Sequence, residues 1–355
     1  MRIIHILNHC RFGHGNVHAA VDLACAQAQR GDTVCFASGS GEFEPLLAQC
    51  GIDLEYIEQE RRSPPRVAAS LWKLRRLVQR FKPDVLHAHM MTGAIMGATV
   101  GRLTGVPLVT TVHNAFEKHA IIMKLGQRVI AVSDPVKEHM VSRGIARAKV
   151  RTVLNGTLGA ARRDFFPPQP QNWTRPCLTT ICGLHPRKGI ADLLHAFEMV
   201  AADFPQANLH LVGDGPQRGE YEALAQSMNC RDQIIFHGQL HDTKSILAQT
   251  DIFALASHND PCPLAIPEAR EAGCAIVATA VDGIPQLLDD GNAGLLVPKR
   301  DPQAFASALR GLLADPAKLA QMKTAASQNL EFWSIKRVAN QTGEVYAELT
   351  GRAAV

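Results

Sequence analysis

Residues 258–285 read HNDPCPLAIPEAREAGCAIVATAVDGIP, and this stretch decides the fold class. Its pattern predicts a helix from Leu264 to Ala272 that ends at Gly273, followed by a buried strand in the apolar run AIVATAV. Two carboxylates lie eight positions apart, Asp260 before the helix and Glu268 near its first turn. A helix, a glycine and a fully apolar strand in this order indicate an α/β protein with a parallel sheet.

The same alternation of apolar strands and helices extends in both directions from this stretch. Before it lie RIIHIL, TVCFAS, DVLHAH, PLVTTVHN, RVIAVS and VRTVLN, and later CLTTICGL, NLHLV, IIFHG and IFALAS. Residues 159–173 interrupt the alternation with three prolines and no periodicity, which predicts a linker. We therefore expect two Rossmann-like doubly wound domains, 1–158 and 174–333, that face each other across a cleft.

Composition and charge exclude several classes of protein. The 355 residues contain nine cysteines without a C-x-x-C pair, which favours reduced thiols and a cytoplasmic location. No run of 18 apolar residues exists, and the N-terminus is too polar for a signal peptide. Aromatic residues make up 5%, which argues against a nucleic-acid partner. Residues 1–158 carry a net charge of +8 and the remainder −4, so the halves are expected to bind different partners.

The first half has three groups of candidate residues in loops that follow strands. Gly13 and Gly15 precede a helix, where backbone amides can approach an anion, although a tight turn explains them equally well. His87 and His89 face the same side of a strand, as metal ligands would, but no third ligand is evident. His113 ends a strand at the cleft edge, where a structural role is the alternative.

The second half has candidates for binding a diphosphate. Arg187 and Lys188 precede Gly189 and a helix, a combination that suits phosphate, with an exposed basic turn as the alternative. Gly213 belongs to a G-D-G turn, which is a weak signal without the rest of a dinucleotide fingerprint. Amides near Leu264 and Ala265 would face an anion at the start of the helix.

Taken together, the motifs resemble the retaining glycosyltransferases of family 4, which have the GT-B fold. The resemblance rests on Asp260-x7-Glu268 with EAREAGCAIVATAVDGIPQ, and on HAH, TTVHN, VIAVS, VLNG, RKG, LVGDGP and GLLVP. These motifs extend over nearly the whole chain, and their combination is specific although each alone is not. The resemblance implies that a C-terminal helix, at about 334–355, crosses back to the first domain.

The resemblance also implies roles for individual residues. The expected catalytic group is His113, Asp260, Arg187 and Lys188, with His113 and Asp260 contacting the donor sugar and the two cations holding the diphosphate. The expected donor-binding residues are Gly13, Gly15, Gly183, Gly213, Leu264, Ala265 and Glu268, with Glu268 on the ribose hydroxyls. His87, His89 and Asn155 are expected on the acceptor side.

Four positions depart from the family pattern. Asp260 is one methylene shorter than the usual Glu, and Leu184 follows Gly183 where an Arg is usual, with Arg187 as the candidate replacement. Pro263 stands at a usual glycine and Gln286 at a common Glu. These departures put the choice of donor in doubt and raise the alternative of a weakened enzyme.

The implied reaction transfers a hexose from a nucleoside diphosphate sugar to a hydroxyl of a glycan or lipid-linked acceptor, in polysaccharide or lipopolysaccharide assembly. No D-x-D motif stands out, so no metal and no cofactor are expected, and without a clear enzyme nucleophile a same-face route is favoured. The alternatives are a nucleotide-sugar 2-epimerase of the same fold, an impaired nucleotide-sugar binding protein, and an NAD-dependent dehydrogenase. The dehydrogenase lacks a complete glycine fingerprint.

Residues 61–82 form a basic segment with eight Lys and Arg and no acid. Leu71, Leu74, Val78 and Phe81 make an apolar stripe, which predicts a helix packed on the sheet with a solvated basic face. The sharper hypothesis adds contact with anionic lipid at the inner face of the cell membrane. Its candidate membrane-facing residues are Arg62, Arg66, Lys73, Arg76 and Arg80.

Overall fold

A computed structural model describes residues 1–60, 63–169 and 172–352. The chain divides into two compact units, Met1–Phe165 together with the segment from Ser334, and Phe166–Trp333. Each unit has one parallel sheet with helices around it. The predicted α/β fold class with two Rossmann-like domains is confirmed.

Unit 1 is built on seven parallel strands in the order β3-β2-β1-β4-β5-β6-β7. The strands are β1 Arg2–His9, β2 Thr33–Gly39, β3 Asp53–Tyr56, β4 Val85–Ala88, β5 Leu108–Val112, β6 Arg128–Ala131 and β7 Val150–Thr152. Their helices are α1 Gly15–Gln29, α2 Glu44–Gln49, α3 Pro64–Phe81, α4 Met91–Thr104 and α5 Asp134–Ser142. The sequence pattern missed β3, because this edge strand is four residues long and half acidic.

Unit 2 repeats the arrangement with six parallel strands in the order β10-β9-β8-β11-β12-β13. The strands are β8 Cys177–Ile181, β9 Asn208–Val212, β10 Ile234–Gly238, β11 Ile252–Leu255, β12 Ala275–Thr279 and β13 Leu295–Val297. The helices are α6 Ile190–Ala201, α7 Arg218–Gln226, α8 Thr243–Gln249, α9 Ala265–Glu271, α10 Ile284–Leu287, α11 Pro302–Leu313 and α12 Pro316–Ala326. As predicted, Gly273 follows α9 with a left-handed backbone.

The last helix, α13 Ile335–Thr350, belongs to unit 1, where Val338, Val345 and Tyr346 are buried against the core. The first part of the predicted linker also packs in unit 1. Residues Ala161–Asp164 form a short 3-10 helix there, and the amide of Ile335 donates to the carbonyl of Leu158. The boundary between the units falls after Phe165.

Both sheets reverse their strand order at one point, between β1 and β4 in unit 1 and between β8 and β11 in unit 2. Ligands of doubly wound sheets bind beyond the carboxyl ends of the strands at such reversal points. The candidate residues are therefore best examined at these two places.

Candidate active site

In unit 2, the loops after β8 and β11 lie directly against each other. Gly189 has a left-handed backbone with φ of 62°, and a Cβ there would lie 2.0 Å from the carbonyl oxygen of Ala256. Only glycine permits this approach, which brings the segment 186–188 against the segment 257–260. The predicted basic turn and the predicted first carboxylate are thereby neighbours.

Lys188 and Asp260 form a buried ion pair in these loops. The side chains are 10% and 7% exposed, and the Lys188 ammonium donates to Oδ2 of Asp260. Ser257 Oγ donates to the same oxygen over 3.2 Å. An ammonium group has three hydrogens, so Lys188 can bind a second oxygen ligand while it still holds Asp260.

Asp282 fixes the backbone beneath this pair. Its Oδ2 accepts from the amide of Asp260 over 2.7 Å, and its own backbone is left-handed with φ of 47°. Burial raises the pKa of the Asp282 carboxyl, with the Asp260 amide acting in the opposite direction. The Asp-Gly step at the end of the opening stretch thus positions the first carboxylate.

Arg187 and Leu184 show how the departures from the family pattern are accommodated. The guanidinium of Arg187 donates to the carbonyl of Asn259 over 3.3 Å, which places it beside the ion pair. Leu184 is buried in the hydrophobic core of unit 2 and offers no polar group. Arg187 is therefore the cation available next to Lys188.

Glycines line the neighbouring loop after β9. A Cβ at Gly213 would lie 2.0 Å from the carbonyl of Cys182, so a side chain there would push apart the loops after β8 and β9. Gly183, in the loop after β8, is exposed. A Cβ at this position would lie 3.7 Å from the carbonyl oxygen of Asp214. Both glycines are at the carboxyl edge of the sheet, as predicted.

The start of α9 combines unused amides with the second carboxylate. The amides of Leu264 and Ala265 donate to no residue in the described part of the chain, whereas the amides of Ile266 and Glu268 bond within the turn. Glu268 is buried, and Thr243 Oγ1 donates to its Oε2 over 3.3 Å. This edge of unit 2 therefore offers cations and amides for an anion, and carboxylates for hydroxyl groups.

In unit 1, four histidines gather on three neighbouring strands: His5 within β1, His87 within β4, and His89 and His113 just after β4 and β5. His5, His87 and His89 are at most 4% exposed, and His113 is partly exposed at the end of β5. His5 Nδ1 lies 2.9 Å from His89 Nε2, and His89 Nδ1 lies 3.1 Å from His113 Nε2. His87 bonds instead to the hydroxyls of two residues at 2.6 and 2.7 Å, Tyr346 and Thr111.

One ring nitrogen from each of His5, His87 and His89 lies within 4.8 Å of the other two, a spacing that could admit a metal ion. All six ring nitrogens of these residues already have a hydrogen-bond partner. A metal would have to displace several of these bonds and bring charge into a dry core. The cluster is better explained as a hydrogen-bonded network of neutral rings.

Burial keeps the network neutral. It lowers the pKa of His5 and of His113 to about 4 each, and the pKa values of His87 and His89 lie well below the usual range for the same reason. His87 and His89 are buried, and their ring nitrogens bond to other side chains, so their expected place on the acceptor side stays a prediction.

These pKa values predict how stability depends on pH. Between about pH 6.5 and 4 the unfolded chain binds protons that the folded cluster excludes, so the free energy of unfolding falls as pH falls. His5 alone is expected to contribute a loss of roughly 3 kcal/mol by pH 4. Urea unfolding at several pH values measures the slope. His113→Asn should reduce it, the exposed-site control His119→Gln should not, and equal slopes in all three proteins would contradict the prediction.

The hydrogen bonds of Gly13 and Asn155, two of the remaining predicted residues of unit 1, are made to residues outside the histidine network. Gly13 is left-handed with φ of 86°, and its amide donates to His18. Gly15 is exposed at the start of α1, where a Cβ would meet nothing within 4 Å. The Asn155 carbonyl accepts from Arg337 of α13. The structure thus assigns Gly13 a turn and leaves the amide end of α1 open.

Sequence reasoning missed seven residues of these two sites: His5, Gln27, Thr111, Thr243, Ser257, Asp282 and Tyr346. His5 could have been found as a polar residue in an otherwise apolar buried strand. Gln27 and Tyr346 carry no local signal, because helical periodicity does not show which polar residue turns inward.

Comparison with known proteins identifies glycosyltransferase domains in both halves of the chain. The model of "Glycosyltransferase Family 4" matches residues 15–157, and that of "Glycosyl transferases group 1" matches residues 175–315. A glycogen synthase of Mycobacterium tuberculosis is 26% identical over 75% of this chain and 69% of its own. A phosphatidyl-myo-inositol mannosyltransferase of Mycolicibacterium smegmatis is 29% identical over 76% and 72%.

Among solved structures, Anabaena HepE in complex with UDP-glucose superposes with a TM-score of 0.82, at 20% identity, covering 98% of this chain and 100% of that one. Fold and sequence together define a glycosyltransferase of the GT-B type. More specifically, residues 15–157 form a glycosyltransferase family 4 domain and residues 175–315 a glycosyl transferases group 1 domain.

Proposed function

We propose that the protein is a retaining, metal-independent hexosyltransferase that uses a nucleoside diphosphate sugar. The observation that carries the proposal is the cluster at the carboxyl edge of unit 2. There the buried Lys188–Asp260 pair, Arg187 and the unused amides of α9 lie on neighbouring loops. Cations and amides together suit a diphosphate, and carboxylates suit the hydroxyls of the groups at its two ends.

The assignment of residues follows from that chemistry. Lys188 and Arg187 bind the diphosphate, with the amides of Leu264 and Ala265. Glu268 accepts hydrogen bonds from the ribose, and Asp260 from the donor sugar. Gly183 and Gly213 keep the floor of the site free of side chains. In unit 1, Gly15 is proposed to bind phosphate and His113 a sugar hydroxyl.

The reaction breaks the bond between C1 of the sugar and the diphosphate oxygen, which keeps the electron pair. Lys188, Arg187 and the amides stabilise that negative charge as it develops. The acceptor oxygen bonds to C1 on the same face, and its proton passes to the departing phosphate oxygen. The anomeric configuration is thereby retained without an enzyme nucleophile.

The acceptor is proposed to be a hydroxyl of a glycan or of a lipid-linked sugar, in surface polysaccharide or lipopolysaccharide assembly. Two relatives support this range, since one is named for glycogen and the other for phosphatidyl-myo-inositol. The nucleotide sugar is a co-substrate, and neither a cofactor nor a nucleic acid has a part in the proposed reaction.

A panel of nucleotide sugars incubated with pure protein and EDTA tests the proposal by the release of nucleoside diphosphate. Release from one sugar supports a metal-independent transferase, and the anomeric coupling constant of the product reports retention. Activity that EDTA abolishes and Mn²⁺ restores would refute metal independence. An epimerase would instead yield a new sugar without acceptor, and an impaired protein would bind without release.

The surface of α3 supports a further proposal, contact with an anionic membrane from the cytoplasmic side. Trp72 is 57% exposed with the guanidinium of Arg76 over its ring at 4.7 Å, and Tyr56 is 54% exposed beside Lys73. Exposed aromatic rings among cations are typical of interfacial surfaces. Arg66 is also exposed, Arg80 pairs with Glu55, and Arg62 lies outside the described residues. No described helix has the length and hydropathy to span a bilayer.

Liposome flotation tests the membrane proposal. Vesicles containing anionic lipid are expected to carry the protein at low salt, and neutral vesicles are not. A combined Trp72→Ser and Arg76→Ser variant is expected to bind on the order of tenfold more weakly, since one basic residue contributes roughly 1 kcal/mol and the loss of the Trp72 ring removes interfacial contact as well. Arg147→Ser removes an exposed cation from a different surface of unit 1 and serves as the control. Equal flotation of wild type and the combined variant would contradict the proposal.

A further inference from the structure

Gln27 lies fully buried in α1 at the junction of two branches of the histidine network. Its Oε1 is 2.8 Å from His5 Nε2, and its Nε2 donates to the Tyr346 hydroxyl over 3.3 Å. A side-chain amide has one accepting end and one donating end. It therefore imposes a direction on every hydrogen bond that continues from it.

The first branch runs from Gln27 to His113. The amide oxygen has no hydrogen, so His5 must donate from Nε2, and because His5 is neutral its Nδ1 is bare. That bare nitrogen accepts from His89 Nε2–H, which leaves His89 Nδ1 bare in turn. His89 Nδ1 can only accept from His113 Nε2–H.

The second branch runs through Tyr346. Its hydroxyl accepts from the Gln27 amide and therefore donates its own hydrogen to His87 Nδ1 over 2.6 Å. His87 then donates from Nε2 to Thr111 Oγ1 over 2.7 Å. Each of these contacts then contains one hydrogen, and each histidine ring carries one N–H, so the contacts between the rings and their partners are all satisfied by neutral rings.

We infer that Gln27, His5 and His89 are positioning residues that hold His113 with its hydrogen on Nε2 and with Nδ1 bare. The Nδ1 atom accepts no hydrogen bond from any residue that the structure describes, and His113 is the partly exposed end of the branch. A bare nitrogen attracts a hydroxyl hydrogen and repels a phosphate oxygen. His113 is thus set to bind a hydroxyl of the sugar, and this assignment of the ligand rests on the proposed function.

The tautomer itself can be measured on the whole protein, independent of activity. With ¹⁵N-labelled histidine, long-range proton–nitrogen spectra distinguish protonated from bare ring nitrogens, and His113→Asn assigns the His113 signals. The expected result is one tautomer of His113, protonated on Nε2. A hydrogen on Nδ1 of His113, or an even mixture of tautomers, would overturn the inference.

Two buried substitutions of similar kind test the role of Gln27. Gln27→Met removes the direction-setting amide and should give mixed tautomers of His113 and a roughly tenfold lower kcat, with KM within about twofold. Thr111→Val cuts the other branch at its far end and should leave the tautomer of His113 unchanged. Unaltered tautomers and kcat in Gln27→Met would sink the inference. Absence of turnover with every donor contradicts the proposed function instead, and the spectrum of the wild type still decides the tautomer.

Discussion

Lys188→Ala is expected to lower kcat by roughly 10²–10³-fold, the largest effect on activity of any substitution considered. Removal of one preorganised group that stabilises developing charge typically costs about 3–4 kcal/mol of barrier. Lys188 qualifies because it is buried, fixed by Asp260, and held at the carboxyl edge of the unit 2 sheet by the close contact of Gly189 with Ala256. A preformed, dehydrated cation acts more strongly than one that is free in water.

The same substitution also leaves Asp260 buried without its cation, and such a loss commonly costs 3–5 kcal/mol of stability. A lower rate could then reflect unfolding alone. The double variant Lys188→Gln with Asp260→Asn separates the two effects, because a neutral amide pair can keep the contact without a buried charge. It is expected to recover most of the thermal stability and little of the rate.

Single-turnover release of nucleoside diphosphate, measured well below the unfolding temperature, reports the chemical step. Lys188→Arg is the matched control that keeps the charge, and a larger share of activity should remain although the guanidinium geometry differs. A double variant that regains both stability and rate would show that Lys188 is structural, and the assignment of the diphosphate site would fail.

The sequence predicted the fold, and the loops that follow β8 and β11, well because both depend on local pattern. Apolar runs bounded by glycines identify central strands of a parallel sheet, and the order of the strands then places their following loops at one edge. Lys188 and Asp260 are 72 positions apart, yet each lies in the loop that follows a strand of unit 2. Their proximity was therefore predictable, and in the structure their side chains form a hydrogen bond.

The histidine network was not predictable in this way. His87 and His89 drew attention by their spacing, but the partners that define their chemistry come from distant segments without a signature. Gln27 is one of two glutamines in α1, and Tyr346 is 319 positions away from it. Which polar residue is buried depends on how α1 and α13 pack on the sheet, and periodicity cannot supply that.

The segment predicted as a linker illustrates the same limit. Prolines and the lack of period suggest an open connection, yet Ala160, Arg162 and Arg163 are buried in unit 1. Burial of an arginine needs a partner of opposite charge, and that partner lies 140 positions earlier in the middle of α1. A lone Asp at an inward position of a helix was the only available sign.

Arg162→Met is expected to destabilise unit 1 by about 3–5 kcal/mol, because it leaves the Asp22 carboxylate buried without this cation. Arg162 donates from Nε to both oxygens of Asp22 over 3.1 and 3.2 Å, and from Nη2 over 3.0 Å, with both side chains at most 4% exposed. For a unit of this size the midpoint of thermal unfolding should fall on the order of 10 °C.

Arg147→Met is the matched control, since it breaks an exposed pair with Glu138 in the same unit and should change nothing measurable. Replacing both partners, Asp22→Leu with Arg162→Met, removes the stranded charge and should recover much of the loss. A double variant as unstable as the sum of the two single variants would mean that the residues are not coupled. In that case other contacts would hold the segment to unit 1, among them the Leu158–Ile335 backbone bond.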